Sequence, residues 1–156
     1  MLIEPLANYS EVIPRLAHWF CREWPFEGRS HGEAEAQLRE NLNHDCLPIT
    51  WVGLDNGEVI GTVSLDVSDL PLPEYAHLSP WLASLYVVPS ARGRGVGRAL
   101  VNHVLEFARR GSLPAIYLWT PGKTALYKSC GWKILDRTTY AGHPIAVMRV
   151  ALSGNG

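Results

Sequence analysis

The stretch "PSARGRGVGRAL", Pro89 to Leu100, sets Gly93, Gly95 and Gly97 on alternate positions among Arg92, Arg94 and Arg98. It follows the apolar run "WLASLYVV" (Trp81 to Val88) and precedes a pattern in which Leu100, Val101, Val104, Leu105 and Ala108 share one helical face. Glycines at a strand-to-helix turn let successive backbone N–H groups converge, and the helix start adds partial positive charge, so such a turn suits phosphate. The plainer alternative is a turn in which glycine only relieves backbone strain. Two familiar phosphate loops do not fit. A dinucleotide fingerprint needs a glycine where Arg98 stands, and an acidic residue closing the next strand, which instead ends in Trp119-Thr120. "Gly122-Lys123-Thr124" has the tail of a nucleotide-triphosphate loop, but its first glycine would fall at Tyr117, inside the strand.

Outward from the loop, the helix it opens ends near Arg110-Gly111 with basic residues in its last turn. "AIYLWT" reads as a buried strand, "TALYKSC" as a short helix stopped by Gly131, and "WKILDR" and "IAVMRV" as closing strands on either side of Gly142. Upstream, "ITWVGLDNGEVIGTVSLDV" is two β-rich runs joined at Asp55-Asn56-Gly57, where Asn-Gly supplies the positive φ of a tight hairpin. "SDLPLPEYAHLSP", with its prolines, reads as a loop and a candidate substrate lid. Ile13, Leu16, Ala17, Phe20 and Trp24 fall at helical spacing and predict a helix over 10–24 capped by Ser10; a second is expected over Glu33 to Leu42.

The 156 residues, 47% hydrophobic and 19% charged, fit one globular domain with an ordinary core. A net charge of -1 gives no overall attraction to nucleic acid or anionic membrane, so any anion site must be local, which singles out the arginine loop. The start "MLIEPLANYSEV" lacks a basic segment and a signal-peptide core, and no apolar stretch is long enough to span a bilayer, so a cytoplasmic protein is expected. Cys21, Cys46 and Cys130, odd in number and without paired spacing, argue against a disulfide framework and a Cys-based zinc site. "HDC" at His44 to Cys46 is too small a cluster for a metal, and no metal is expected.

Arg92-x-x-Gly95-x-Gly97 after "LYVVP" resembles the acetyl-coenzyme A signature of the GNAT superfamily of N-acetyltransferases. Downstream, "ALYKSCGWKIL" resembles the family's second block, an aliphatic-Tyr pair followed by Gly-aromatic and a strand; the resemblance covers roughly 49–152. It implies a single α/β (α+β) domain over 1–156, a central mixed, mostly antiparallel sheet flanked by helices. Acceptor-side helices would occupy about 8–45 and the acetyl-CoA-binding core about 49–152. It also implies transfer of acetyl from acetyl-CoA to an amine by direct attack. The rival from another class is a coenzyme-A-binding sensor or interaction module that has lost turnover.

By the same resemblance, the amides of Gly93, Arg94, Gly95, Val96, Gly97 and Arg98 would hold the pyrophosphate, with Arg92, Arg94 and Arg98 adding charge. Leu85, Tyr86 and Val87 would offer unpaired backbone to pantetheine like an added strand, and the Leu85 N–H would stabilise the oxyanion. Tyr127 sits where the family keeps the acid that protonates the departing thiolate; a core aromatic is the bland alternative. Thr120 replaces an asparagine common among relatives and Lys123 a small residue, so that polar contact to the cofactor is in question. The relatives' glutamate base would fall near Trp81, yet no acid stands anywhere from Trp81 to Val88. Asp66, Glu74 and His77 are left to act through water, each otherwise an ordinary solvated loop residue. Trp19, Phe20, Trp24, Phe26, Tyr75 and Trp81 are candidates to wall an acceptor pocket or to pack the core. Glu23, Glu27, Asp66, Asp69 and Glu74 are candidates to attract an amine, whether on a small molecule or a peptide. The expected partners are acetyl-CoA and that acceptor, without nucleic acid or membrane; a homodimer stays open.

Overall fold

The computed structural model describes residues 1–152, so the last four positions of the expected single domain lie outside the described residues. Strand β1 (Leu2–Pro5) leads through a 3-10 turn, Leu6–Val12, into α1 (Ile13–Glu23). A second short turn, Pro25–Glu27, connects to α2 (His31–Glu40). β2 (Ile49–Asp55) and β3 (Glu58–Asp66) form the Asn56-Gly57 hairpin, with φ of 50° and 82° at its two corner residues. Then follow β4 (Trp81–Val87), α3 (Val96–Arg110), β5 (Ala115–Thr120), α4 (Thr124–Ser129), β6 (Lys133–Tyr140) and β7 (His143–Ala151).

The seven strands form one sheet in the order β1-β2-β3-β4-β5-β7-β6. All neighbours are antiparallel except β4 and β5, which run parallel because the α3 crossover returns the chain to the same end. Alternation along β2 sends Trp51 to one face and Val52 to the other. On the first face, Leu100, Val101, Val104 and Leu105 of α3 pack with Ile116, Leu118 and Met148. On the second, Leu16 and Phe20 of α1 and Leu38 of α2 cover Val52 and Leu54. Gly61 of β3 sits under α3: a Cβ there would lie 2.9 Å from the Tyr86 carbonyl oxygen and 3.0 Å from a Leu100 methyl.

Element boundaries differ from the sequence reading where capping decides them. α1 starts three residues after Ser10, with Val12 at its N-cap and no side-chain cap. α2 starts at His31, two residues before the expected start, because Ser30 and Glu33 form a reciprocal capping box. β1 was not expected; it adds to the outer edge of β2.

Candidate active site

β4 and β5 share a single ladder pair, Trp81 with Tyr117, and diverge beyond it. On its other side β4 pairs with β3, but the register shifts between Thr62 and Ser64, leaving Ser84 and Leu85 without a ladder partner. Ser84 takes a left-handed φ of 54°, uncommon for a residue with a side chain, and the Thr62 hydroxyl donates to its carbonyl at 2.8 Å. A bulge held this way re-aims the backbone at Leu85 into the opening between the strands.

That opening is a cleft of about 450 Å³ lined by Leu85 and Ser84 of β4, Thr120 at the end of β5, Tyr127 of α4, and Trp24 and Phe26 beside α1. The structure therefore brings together Leu85, Thr120 and Tyr127, which lie far apart in sequence. Tyr127 is 6% exposed, packs edge-on against Trp132, and its hydroxyl has no hydrogen-bond partner among the described residues. Burial pushes its pKa above the usual phenol range, so it stays a proton donor at all ordinary pH. Thr120 is engaged locally: its Oγ1 accepts from the amides of Gly122 and Lys123 at 3.3 and 3.0 Å.

The glycine loop lies at the α3 end of the divergence. A Cβ at Gly97 would sit 3.8 Å from Leu126 of α4 and 3.9 Å from Val87 of β4, so the helix start is wedged between the two walls of the cleft. Gly93 and Gly95 are left-handed, at φ 76° and 79°, and nothing approaches within 4 Å of where their side chains would be. The loop thus presents open backbone at a helix N-terminus, the surface a pyrophosphate requires. The three arginines each face a protein acceptor. Arg92 donates through Nε to the Val87 carbonyl at 2.9 Å and lies over the Tyr86 ring, which also stacks on Trp19. Arg94 reaches Asp55 at 3.4 Å, and Arg98 holds Ser129 at 2.9 and 3.2 Å. Arg98 therefore ties α3 to α4, whereas Arg92 braces the end of β4.

The acidic residues separate sharply. Glu74 and His77 are exposed and do not line the cleft; their loop is fastened to the sheet by Tyr75, whose hydroxyl donates to Asp136 at 2.7 Å. Asp69, on the same loop, lines the cleft and accepts from Trp119 Nε1 at 2.8 Å. Burial, and secondarily the negative charges of Asp66 and Glu27, push its pKa up to about 8. Asp66 is pushed up to about 6 by burial, against the lowering effect of the Asn41 amide at 2.7 Å. Glu27 is raised by burial, partly offset by Arg29. Of the aromatic candidates, Trp81 and Trp19 are packing residues, Tyr75 anchors the loop, Phe20 lies at the floor between helix and sheet, and Trp24 and Phe26 wall the cleft. The sequence places Asp69 only among groups that attract an amine; its burial depends on Trp119, fifty positions away, which no local pattern signals. Among the described residues no group of three or more potential ligands is set to hold a metal, and no helix is long and apolar enough to cross a membrane.

The site is thus an open parallel joint in a mostly antiparallel sheet, walled by a glycine-rich helix start and a buried tyrosine. Residues 13–132 match the model of the acetyltransferase (GNAT) family, and the chain belongs to that family. It is 31% identical over 85 residues to an uncharacterised N-acetyltransferase of Methanocaldococcus jannaschii, and 35% identical over 88 residues to N-acetyltransferase 8 of Rattus norvegicus. Those matches span 50% and 53% of this chain but only 36% and 38% of the relatives' own lengths. In fold it is similar to the aminoglycoside 6'-acetyltransferase type Ii, with a TM-score of 0.72, 24% identity and 97% of each chain covered. It is also similar in fold to the ribosomal-protein-alanine N-acetyltransferase of Brucella melitensis, with a TM-score of 0.73, 23% identity and 97% and 100% covered.

Proposed function

We propose that the chain transfers the acetyl group of acetyl-coenzyme A to an amine by direct attack. The observation that carries this reading is the cleft where β4 and β5 diverge, in which the unpaired Leu85 backbone and the unpartnered Tyr127 hydroxyl meet below an open glycine loop. The residues fit the donor in kind: the amides of 93–98 for the pyrophosphate, the β5-facing edge of Leu85, Tyr86 and Val87, unpaired at Leu85, for pantetheine, and a half-enclosed tyrosine hydroxyl for the sulfur. A solved aminoglycoside 6'-N-acetyltransferase of this fold is described as complexed with coenzyme A, at 22% identity to this chain.

The thioester supplies the acetyl group; this chain supplies position, charge and protons. The Leu85 N–H is a fixed dipole for the carbonyl oxygen, which gains negative charge as the nitrogen attacks. The C–N bond forms, the C–S bond breaks, the nitrogen loses a proton and the sulfur gains one. Asp69 is the proton acceptor, directly or across one water, because it lines the cleft and its raised pKa sits near working pH. Tyr127 is the donor to sulfur. With its pKa raised, complete transfer would leave a buried phenolate, so Tyr127 donates a hydrogen bond that strengthens as charge develops on sulfur, and the released thiolate takes its proton from solvent.

Purified protein with acetyl-CoA and a panel of alkylamines, diamines, amino sugars and N-terminal peptides tests the reading by thiol release. Amine-dependent release above the hydrolysis background is the expected result. Tight acetyl-CoA binding by calorimetry without release for any amine would assign the chain to the binding-module class instead.

A further inference from the structure

Asp69 stands just past the end of β3, where the first cleft meets a second of about 510 Å³ that opens between helices α1 and α2 and strands β2 and β3. Its two oxygens are placed differently. Oδ2 accepts from Trp119 Nε1 at 2.8 Å. Oδ1 accepts no hydrogen bond among the described residues, and it is not sealed from solvent as the unpartnered Trp132 Nε1 is. The indole is held from both sides. Trp119 lies near the end of β5, opposite Val147 of β7, and its ring meets Tyr140 edge-on at 5.2 Å and Phe26 at 6.3 Å. The loop that carries Asp69 is anchored separately, by Leu70 and Tyr75 packed with Trp81. The hydrogen bond thus joins two parts of the wall that are each fixed on their own.

An indole N–H can only donate, so it meets Oδ2 best when that oxygen is an anionic or carbonyl acceptor. A proton arriving at Asp69 is therefore directed to Oδ1. The same bond favours the carboxylate and works against the burial that raises this group's pKa. Charges bear on Asp69 from Asp66 at the end of β3 and from Glu27 and Arg29 in the connection between α1 and α2. The Tyr140 hydroxyl, at the end of β6, feels Asp69 in turn, and Glu23 and Lys123 line the same cleft. Among the described residues only Trp119 makes a side-chain hydrogen bond to Asp69.

We propose that Trp119 is a positioning residue for acyl transfer, its indole N–H pinning Asp69 Oδ2 so that Oδ1 receives the proton of the attacking amine. As the C–N bond forms and the C–S bond breaks, the nitrogen's proton goes to Oδ1, directly or across one water. The inference rests on the acetyl-transfer reading with Asp69 as its base.

The test follows the Asp69 carboxyl carbon by NMR from pH 5 to 10, and kcat over the same range by thiol release from acetyl-CoA with whichever amine of the panel above turns over. Trp119→Phe keeps a ring against Tyr140 and Phe26 but removes the donor. In that variant the Asp69 midpoint and the rising limb of kcat should both move up by about one pH unit, lowering kcat at pH 7.5 by roughly tenfold. Trp119→Gln, which restores an N–H, should bring both back toward the parent. In an Asp69→Asn background, Trp119→Phe should have no further effect on kcat. An unmoved midpoint, or a loss of kcat equal at every pH, would make Trp119 a mere wall of the cleft and overturn the proposal. The parent alone gives a second reading if Trp119→Phe does not fold: the Trp119 indole N–H resonance should titrate with the midpoint of Asp69, and a resonance that ignores pH overturns the proposal equally. Failure of the underlying reading has a different signature. A midpoint that moves as expected beside turnover with no limb near pH 8 removes Asp69, and Trp119 with it, from the reaction; the same midpoint shift with no thiol release for any amine removes acetyl transfer.

Discussion

Tyr127 keeps a free hydroxyl inside a cleft that otherwise buries it, and its replacement separates chemistry from binding. Tyr127→Phe preserves the ring contact with Trp132 and is expected to lower kcat by roughly ten- to a thousandfold, with acetyl-CoA affinity nearly unchanged. The lower part of that range is favoured because a phenol with a raised pKa gives up its proton reluctantly. Full turnover in the variant, with acyl transfer shown to be rate-limiting, would remove Tyr127 from the mechanism. Asp69 makes a prediction in pH. Only its carboxylate accepts a proton, so kcat should rise with pH through about 8. Asp69→Asn should abolish that limb and reduce kcat by about a hundredfold; a variant that keeps the same profile would place the base elsewhere. Neither the Asp69 role nor the outward placement of Glu74 and His77 is legible from the sequence, because all three share one loop and differ only in what the fold brings against them.

The glycine loop and the hairpin were legible because their chemistry is local: Asn-Gly requires positive φ, and alternate glycines before an amphipathic helix require a turn with open backbone. The bulge at Ser84 was not, since no glycine marks it and the Thr62 hydroxyl that secures it comes from another strand. β1 escaped notice because four residues ending in proline carry no alternation to read. The α2 start was readable from Ser30-x-x-Glu33, which the apolar pattern alone overlooks. Two substitutions test what these elements do. Gly95→Asp keeps a residue type that tolerates the left-handed region but adds a negative charge at the α3 start, and should weaken acetyl-CoA binding by tenfold or more while the protein stays folded. Unchanged affinity would displace the donor from this loop. Gly61→Ala, by contrast, forces a methyl against the Tyr86 carbonyl and Leu100, and should cost about 1–3 kcal/mol of stability in a denaturant titration.

Across the whole molecule, the carboxylates that face the clefts set the pH dependence of stability. Asp69, Asp66 and Glu27 are all raised, so the folded protein retains protons that the unfolded chain releases as pH climbs from about 4 toward 8. Stability therefore falls as pH rises through that window, and Tm should drop by several degrees between pH 5 and pH 8.5. Glu33 and Asp136, lowered by hydrogen bonds from Ser30 and Tyr75, act oppositely and lose their contribution only as pH falls below about 4. Asp69→Asn should melt higher than the parent at pH 8, with the gap closing toward pH 4; a flat Tm profile in the parent would contradict the burial assigned to these groups. The divergence of β4 from β5 carries one more consequence. Unpaired strand edges ordinarily invite other chains to add on, and proteins blunt them with charge, proline or closure. Here the open ladder lies in the middle of the sheet, walled by Trp24, Phe26 and Tyr127 of α4, and not along an outer edge where another chain's strand would add. The fold thus keeps unpaired strand backbone inside a cleft while withholding it from the sheet's outer edges, where aggregation starts.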